Sequence, residues 1–251
     1  MDCCGGLLLC KCFTSSPPGV DYVVCNPATE DWTVLPHTEE LRPENIILLG
    51  FDPADPSCFV VFVIIYLSET RTWIPKQTGW AQETRVHHYQ ALNSLFMNGT
   101  LHLITKDSSI VTVDTGGKTW RKISRAYPGW ECIGQSRRCL HVVDIDHYND
   151  DGFLLSVWVL EDASGNWTLK HTVNLSELIG MNVHKFDEPY RVIGIHPDCD
   201  LIFLVDMEHE KFILYDMDSR KVHVLYGGIG YHWQPYRLYT PCFAEWLSDG
   251  N

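Results

Sequence analysis

Thr100-Leu-His-Leu-Ile104, then Ile110-Val-Thr-Val-Asp114, the turn Thr115-Gly-Gly-Lys118 and Trp120-Arg-Lys-Ile123 together decide how the chain reads. Apolar and polar residues alternate along Ile110-Val-Thr-Val, the period-two pattern of a strand with one buried face. The polar Gly-Gly turn between the last two runs is hairpin chemistry. The stretch is an antiparallel meander that ends on a tryptophan-bearing strand.

Working outward, the same order recurs. Gly6-Leu-Leu-Leu-Cys10 leads to Tyr22-Val-Val-Cys25, the turn Asn26-Pro-Ala-Thr29 and Trp32-Thr-Val-Leu-Pro36. A second copy has Cys58 to Leu67, which reads as one strand buried on both faces, then Ser68-Glu-Thr-Arg71 and Trp73. After the opening stretch come Cys139 to Ile145, Leu154 to Glu161, the turn Asp162 to Asn166 and Trp167. A fifth copy runs Leu201 to Val205, Phe212-Ile-Leu-Tyr-Asp216, the turn Met217-Asp-Ser-Arg220 and Val222-His-Val-Leu225. Trp32, Trp73, Trp120 and Trp167 are spaced by 41, 47 and 47 residues, and Val222 follows after 55. Such intervals match a four-stranded propeller blade of roughly 40–50 residues. The fold expected is all-β: a single β-propeller over residues 1–251, of about five or six four-stranded blades. The first blade is expected to be incomplete, with Tyr236 to Trp246 supplying a strand that closes the ring. The tryptophans are expected to pack between blades. Helical signal is confined to Leu175-Ser-Glu-Leu-Ile-Gly180, with Asn174 or Ser176 as cap and Gly180 as stop.

Composition agrees. Of 251 residues 45% are apolar, 12% aromatic and 20% charged, ample for a packed core and far from disordered or collagenous compositions. Nineteen basic against 32 acidic residues give a net charge of −13, which argues against nucleic acid as a partner. The longest apolar run, Cys58 to Leu67, is half of the roughly 20 residues a membrane helix needs, so no membrane partner is expected. The opening MDCCGGLLLCKC has an acid and no base before its leucines, unlike a secretory signal. An intracellular protein, cytoplasmic or nuclear, is expected. Its ten cysteines contain no CxxC pair and read as buried thiols behaving as small hydrophobes.

The ordered segments resemble the plant F-box-associated domain, particularly its grass members. The resemblance rests on Gly5-Gly6-Leu-Leu-Leu-Cys10, Tyr22-Val-Val-Cys-Asn-Pro-Ala-Thr29 and Trp32-Thr-Val-Leu-Pro36. Phe96-Met-Asn-Gly-Thr-Leu-His102, Gly194-Ile-His-Pro-Asp-Cys-Asp200, Asp216-Met-Asp-Ser-Arg220 and Tyr239-Thr-Pro241 continue it. The resemblance implies a kelch-like propeller that recruits target proteins to a Skp/cullin/F-box ubiquitin ligase. The helical F-box that docks the Skp adapter has no counterpart in residues 1–251. Adapter and cullin are therefore expected as partners only where an F-box is supplied, and a degenerate F-box-less fragment stands as an alternative.

Catalytic patterns fail one by one. Gly134-Gln-Ser136-Arg-Arg138 breaks the G-x-S-x-G elbow at its last position. Gly117-Lys118-Thr119 lacks the opening glycine of a phosphate loop, because Thr112 stands there. A calcium loop aligned on Gly152 puts Trp158 where the twelfth-position glutamate belongs. His87 and His88, adjacent on a strand, point to opposite faces and cannot share a metal. A propeller glycosidase needs paired carboxylates about 5–10 Å apart; Asp114, Asp144, Glu161, Asp206 and Asp216 are the candidates, at strand ends that suit turn-capping better. No enzyme, cofactor or metal is expected, with a propeller hydrolase as the alternative.

What remains is binding. Interfaces favour aromatic residues and arginine at their centres. Two stretches outside the repeat carry them: Tyr127-Pro-Gly-Trp130, beside Arg125, and Tyr231-His232-Trp233-Gln-Pro-Tyr-Arg237. Tyr127, Trp130, Tyr231, His232, Trp233 and Arg237 are the candidate target-binding residues, against the alternative that they pack between blades. Trp80 is a weaker candidate of the same kind.

Overall fold

The computed structural model describes residues 2–15, 18–37, 47–62, 65–67, 72–74, 94–105, 109–116, 119–123, 132–147, 152–161, 165–179, 189–227 and 236–244. These residues are almost entirely strand and form five four-stranded sheets. The first holds β1 (Asp2–Cys4), β2 (Leu7–Ser15), β3 (Pro18–Asn26) and β4 (Asp31–Val34). The second holds β5 (Leu48–Asp52), β6 (Asp55–Phe62), β7 (Ile65–Leu67) and β8 (Thr72–Ile74). The third holds β9 (Ser94–Met97), β10 (Thr100–Ile104), β11 (Ile110–Asp114) and β12 (Trp120–Ile123). The fourth holds β13 (Cys132–Ser136), β14 (Cys139–His147), β15 (Phe153–Leu160) and β16 (Trp167–Asn174). The fifth holds β17 (Tyr190–Ile195), β18 (Leu201–Asp206), β19 (Lys211–Asp216) and β20 (Lys221–Gly227). Neighbours in each sheet are neighbours in the chain, so every sheet is a meander.

Three sequence expectations are corrected. The first sheet is complete, because Asp2–Cys4 pairs with Leu7–Leu9 as a short fourth strand. The run Cys58 to Leu67 is two strands, β6 and β7, with Val60 opposite Leu67 and Val61 opposite Tyr66. Its continuous hydrophobicity hid the division, since apolar residues run through both strands. Among the described residues 236–244 there is no strand, so that stretch joins no ladder.

The chain divides into two compact units: residues 1–106, 111–122 and 237–251, and residues 107–110 and 123–236. In the first unit, β1 lies beside β5 and β5 beside β9, so the leading strands of successive sheets meet. Leu7, Leu9, Tyr22 and Val24 of the first sheet pack with Leu49, Phe51, Phe59 and Val61 of the second in one core. Full burial of each such aliphatic or aromatic side chain contributes about 1.5–3 kcal/mol. In the second unit β13 lies beside β17. Its core joins Val143, Leu155 and Val157 of the fourth sheet to Val192, Ile202, Leu204 and Ile213 of the fifth. A short helix, α1 (Leu175–Ile179), closes the fourth sheet. Asn174 caps it, its Oδ1 accepting from the Ser176 and Glu177 amides at 3.0 and 3.3 Å, while Ser176 instead accepts from the Phe153 amide. No helix of the described residues is long and apolar enough to cross a membrane.

The leading strands carry glycine where they are approached most closely. A Cβ on Gly50 of β5 would stand 2.7 Å from the Phe96 ring and 2.8 Å from the Phe62 ring. Those two rings lie 6.0 Å apart and tilted, filling the space beside β5. A Cβ on Gly134 of β13 would stand 3.1 Å from Ile195 of β17. Gly134, the residue that opens the failed elbow pattern, is thus a packing glycine. Gly50→Ala is expected to destabilise the protein by about 1–3 kcal/mol through overpacking. Gly134→Ala should cost less, because a few tenths of an ångström of relaxation suffice there. Urea unfolding of the two variants beside the natural chain measures both, and equal costs would contradict the packing account.

Candidate functional site

The carboxylates that might have formed a catalytic pair are spent on turns. Asp114 accepts from the Thr119 amide at 3.1 Å. Asp206 Oδ1 accepts from the Glu208 and His209 amides at 3.0 and 3.1 Å, and its Oδ2 lies 2.6 Å from His209 Nδ1. Asp216 Oδ1 accepts from the Asp218 and Ser219 amides, and Oδ2 from the Ser219 hydroxyl at 2.8 Å. The Ser219 bonds hold its pKa below the usual carboxylate range. Asn26 and Asp52 make the same turn bond to Ala28 and Ala54. Three of these turns close on a residue of positive φ, Glu30, Glu210 and Arg220, which lets the chain re-enter the next strand. Glu161 accepts from the Thr168 hydroxyl at 2.6 Å across its hairpin. Asp144 is buried within β14, opposite Ser156. Among the described residues no group of three or more His, Cys, Asp or Glu is placed to hold a metal ion.

Of the candidate binding residues, Tyr127, Trp130, Tyr231, His232 and Trp233 lie outside the described residues, as does Trp80. Arg237 is described, and it points inward. Its Nη2 lies 3.4 Å from Asp2 Oδ1, with the arginine side chain 20% and the aspartate 6% exposed. Asp2 Oδ2 also accepts from the Leu49 amide at 2.8 Å. One carboxylate therefore ties β1 to β5 and to the segment that follows residue 236. Burial raises the Asp2 pKa, opposed by the Arg237 charge. Two further bonds hold that segment: Asn26 Nδ2, fully buried, donates to the Cys242 carbonyl at 2.8 Å, and Cys3 Sγ donates to the Leu238 carbonyl at 3.5 Å. Gly6, at a φ of +93°, lies so close to it that a Cβ would fall 2.5 Å from Cys242 Cβ. The stretch expected to close the ring as a strand is thus fastened to the first sheet by side chains.

In the second unit a charged network joins the fourth and fifth sheets. Asp200, 6% exposed, receives Lys170 Nζ at 2.5 Å and Arg137 Nη2 at 3.3 Å. Lys170 Nζ lies 3.4 Å from His141 Nε2, and His171 Nε2 lies 2.8 Å from the Tyr215 hydroxyl. The turn carrying Arg137 adds its amide bond to the Pro197 carbonyl at 2.7 Å, and Ser136 Oγ donates to the Cys199 carbonyl. The buried acid is thus shared between two cations of the fourth sheet.

Of the tryptophans expected to pack between blades, Trp120 and Trp167 are half-buried, but Trp32 stands largely in solvent. Trp32 of β4 is 67% exposed, and Val34, Leu169 of β16, Val224, Leu225 and Tyr226 of β20 are exposed too. A last strand has no partner on its outer side, so a tryptophan there is not obliged to pack. Phe13, Tyr239 and Phe243 are exposed as well. Their exposure has no signature in the sequence, because the same residue types fill the core.

Meander sheets stacked leading strand to leading strand are propeller architecture, and the comparisons agree. Residues 45–233 match the family model described as F-box protein At3g26010-like, beta-propeller. The chain belongs to that family. Its relatives include two proteins of Arabidopsis thaliana. F-box protein At1g47340 is 31% identical over 194 residues, covering 72% of this chain and 40% of that protein. F-box protein At5g49610 is 25% identical over 252 residues, covering 86% and 64%. The chain therefore spans less than two thirds of either relative. Among solved structures, YCF48 from Cyanidioschyzon merolae aligns with a TM-score of 0.48 at 16% identity, covering 77% of this chain and 59% of that one.

Two outcomes follow from the electrostatics. Asp200→Ala removes the buried acid that Lys170 and Arg137 share and is expected to cost about 1–2 kcal/mol, read by urea unfolding, because both cations stay in reach of solvent; a loss within experimental error would show that the network contributes nothing. Burial holds the imidazoles of His102, His141 and His171 below 6.5. As pH falls through about 6.5 the unfolded chain then binds more protons than the folded one. Stability from these groups is present above that value and declines below it. The unfolding midpoint should fall from pH 7.5 to pH 5.5, and less steeply in His102→Gln, if the loss of its buried imidazole removes one such proton.

Proposed function

We propose that residues 1–251 are a single F-box-associated domain, one kelch-like propeller whose five described sheets serve as blades, with five or six in the whole ring. Its role is to recruit a target protein to a Skp/cullin/F-box ubiquitin ligase, inside the cell, in cytoplasm or nucleus. Family membership carries this reading, since the relatives in Arabidopsis thaliana are named F-box proteins. The domain is non-catalytic and works without cofactor or metal. In support, the strand-end acids Asp114, Glu161, Asp206 and Asp216 are engaged in hairpins. Adapter and cullin are reached through an F-box, and the propeller supplies the target surface.

The target surface we assign to Tyr127 and Trp130 with Tyr231, His232 and Trp233, which concentrate the residue types that dominate interface energetics. Arg237, tied to Asp2, anchors the chain at the edge of the second stretch.

The test is a pull-down of the 251-residue chain against a Skp-type adapter, beside the same chain fused to an F-box. The fusion alone should retain the adapter, and from plant extract it should bring down a target that Trp130→Ala or Trp233→Ala weakens at least tenfold. Adapter capture by the bare chain would overturn the division of labour. Variants that keep full target binding would overturn the choice of residues.

A further inference from the structure

We propose that Cys10 and Cys25 form a reversible dithiol–disulfide site on the half-buried face of the first sheet, oxidised by a small-molecule disulfide of the glutathione type. The register places them. Cys10 on β2 stands opposite Val23, and Cys25 on β3 opposite Leu8, so the two thiols are diagonal neighbours across one strand pair and share a face. The two sulfurs are near enough for Cys10 to raise the Cys25 pKa. The opposite face of the same strands, Leu7, Leu9, Tyr22 and Val24, is buried in the core. The cysteine face is half-buried and therefore reachable. Trp32, 67% exposed, stands opposite Cys25 on β4 with most of its side chain in solvent.

The other cysteines of this unit near the site are less suited. Cys3 and Cys4 bond to the Leu238 and Phe51 carbonyls, and burial pushes their thiols up to about 11 and about 12. Cys242 is buried. Cys12 is exposed and shares the face, but its register partner is Asp21. Burial, with the Cys10 sulfur nearby, pushes the Cys25 thiol up to about 11, so Cys25 keeps its proton at neutral pH and the first attack falls to the other sulfur. Cys10 is then the attacking sulfur.

The electrons and protons balance. The Cys10 thiolate attacks one sulfur of glutathione disulfide, forming a mixed disulfide and expelling one glutathione thiolate. Cys25 loses its proton and attacks the Cys10 sulfur, expelling the second glutathione. Two protein thiols are oxidised by two electrons, and one glutathione disulfide is reduced to two glutathiones. Diagonal residues stand about 7–8 Å apart, whereas a relaxed disulfide prefers Cα atoms within about 6.8 Å. Closing the bond draws the strands together, and the strain keeps it reducible, the character of a regulatory rather than a structural disulfide.

The full chain is equilibrated at pH 7.5 in glutathione buffers from fully reduced to fully oxidised, alkylated, and read by mass spectrometry. Peptide mapping should join Cys10 to Cys25, neither carrying glutathione, with mixed disulfides confined to exposed thiols such as Cys12, Cys139 and Cys199. Cys25→Ser should instead hold one glutathione on Cys10, while Cys12→Ser should oxidise as the natural chain does. Ten free thiols surviving in the fully oxidised buffer would overturn the proposal. So would a cross-link joining any other pair. The mapping is done on the natural chain, so it decides the matter even where a variant fails to fold.

Discussion

A four-stranded meander has two faces, and in a chain this rich in Val, Ile, Leu and Phe neither can be left entirely to water. Everything else in this protein follows from how those faces are covered. In the first unit, one face of the first sheet meets Leu49, Phe51, Phe59 and Val61 of the second. In the second unit, the fourth and fifth sheets bury Leu155, Val157, Ile202 and Leu204 against each other. Where leading strands meet, Gly50 stands where a side chain would collide with the Phe96 and Phe62 rings, and Gly134 where one would crowd Ile195.

Stacked sheets need reliable returns, and the chain uses one device repeatedly. An Asn or Asp ends a strand, accepts from amides two or three residues on, and a left-handed residue completes the turn. Acidic residues are thereby committed locally. This accounts for much of the apparent catalytic potential of an acidic chain, because a carboxylate saturated by backbone amides is a poor general base. The long-range polar contacts are reserved for joining elements: Asp2 bridges β5 and Arg237, and Asp200 bridges Lys170 and Arg137. Each gives a buried acid at least one cationic partner, so neither carboxylate is left uncompensated in a poorly hydrated place.

Much of the fold was legible because strands, turns and period-two alternation are local. The second, third and fourth strands of every sheet coincide with the runs read from the sequence, Cys58 to Leu67 excepted, where one run held two strands. The leading strands Asp2–Cys4, Leu48–Asp52, Ser94–Met97, Cys132–Ser136 and Tyr190–Ile195 were not read as members of the repeat. Their alternation is too short to stand out, yet a signal was present: Leu49-Gly50-Phe51, Ile133-Gly134-Gln135 and Ile193-Gly194-Ile195 share an apolar residue before a glycine.

By itself the sequence determined the all-β class, the repeating meander, the polar hairpins and the family, since each depends on residues close together in the chain or on their order. Tertiary structure alone decided that Arg237 turns inward to Asp2, that Trp32 stands in solvent, and that Cys10 meets Cys25 across a strand pair. Those outcomes depend on which faces the neighbouring strands and sheets cover, a matter of register and stacking between residues that composition and spacing do not relate.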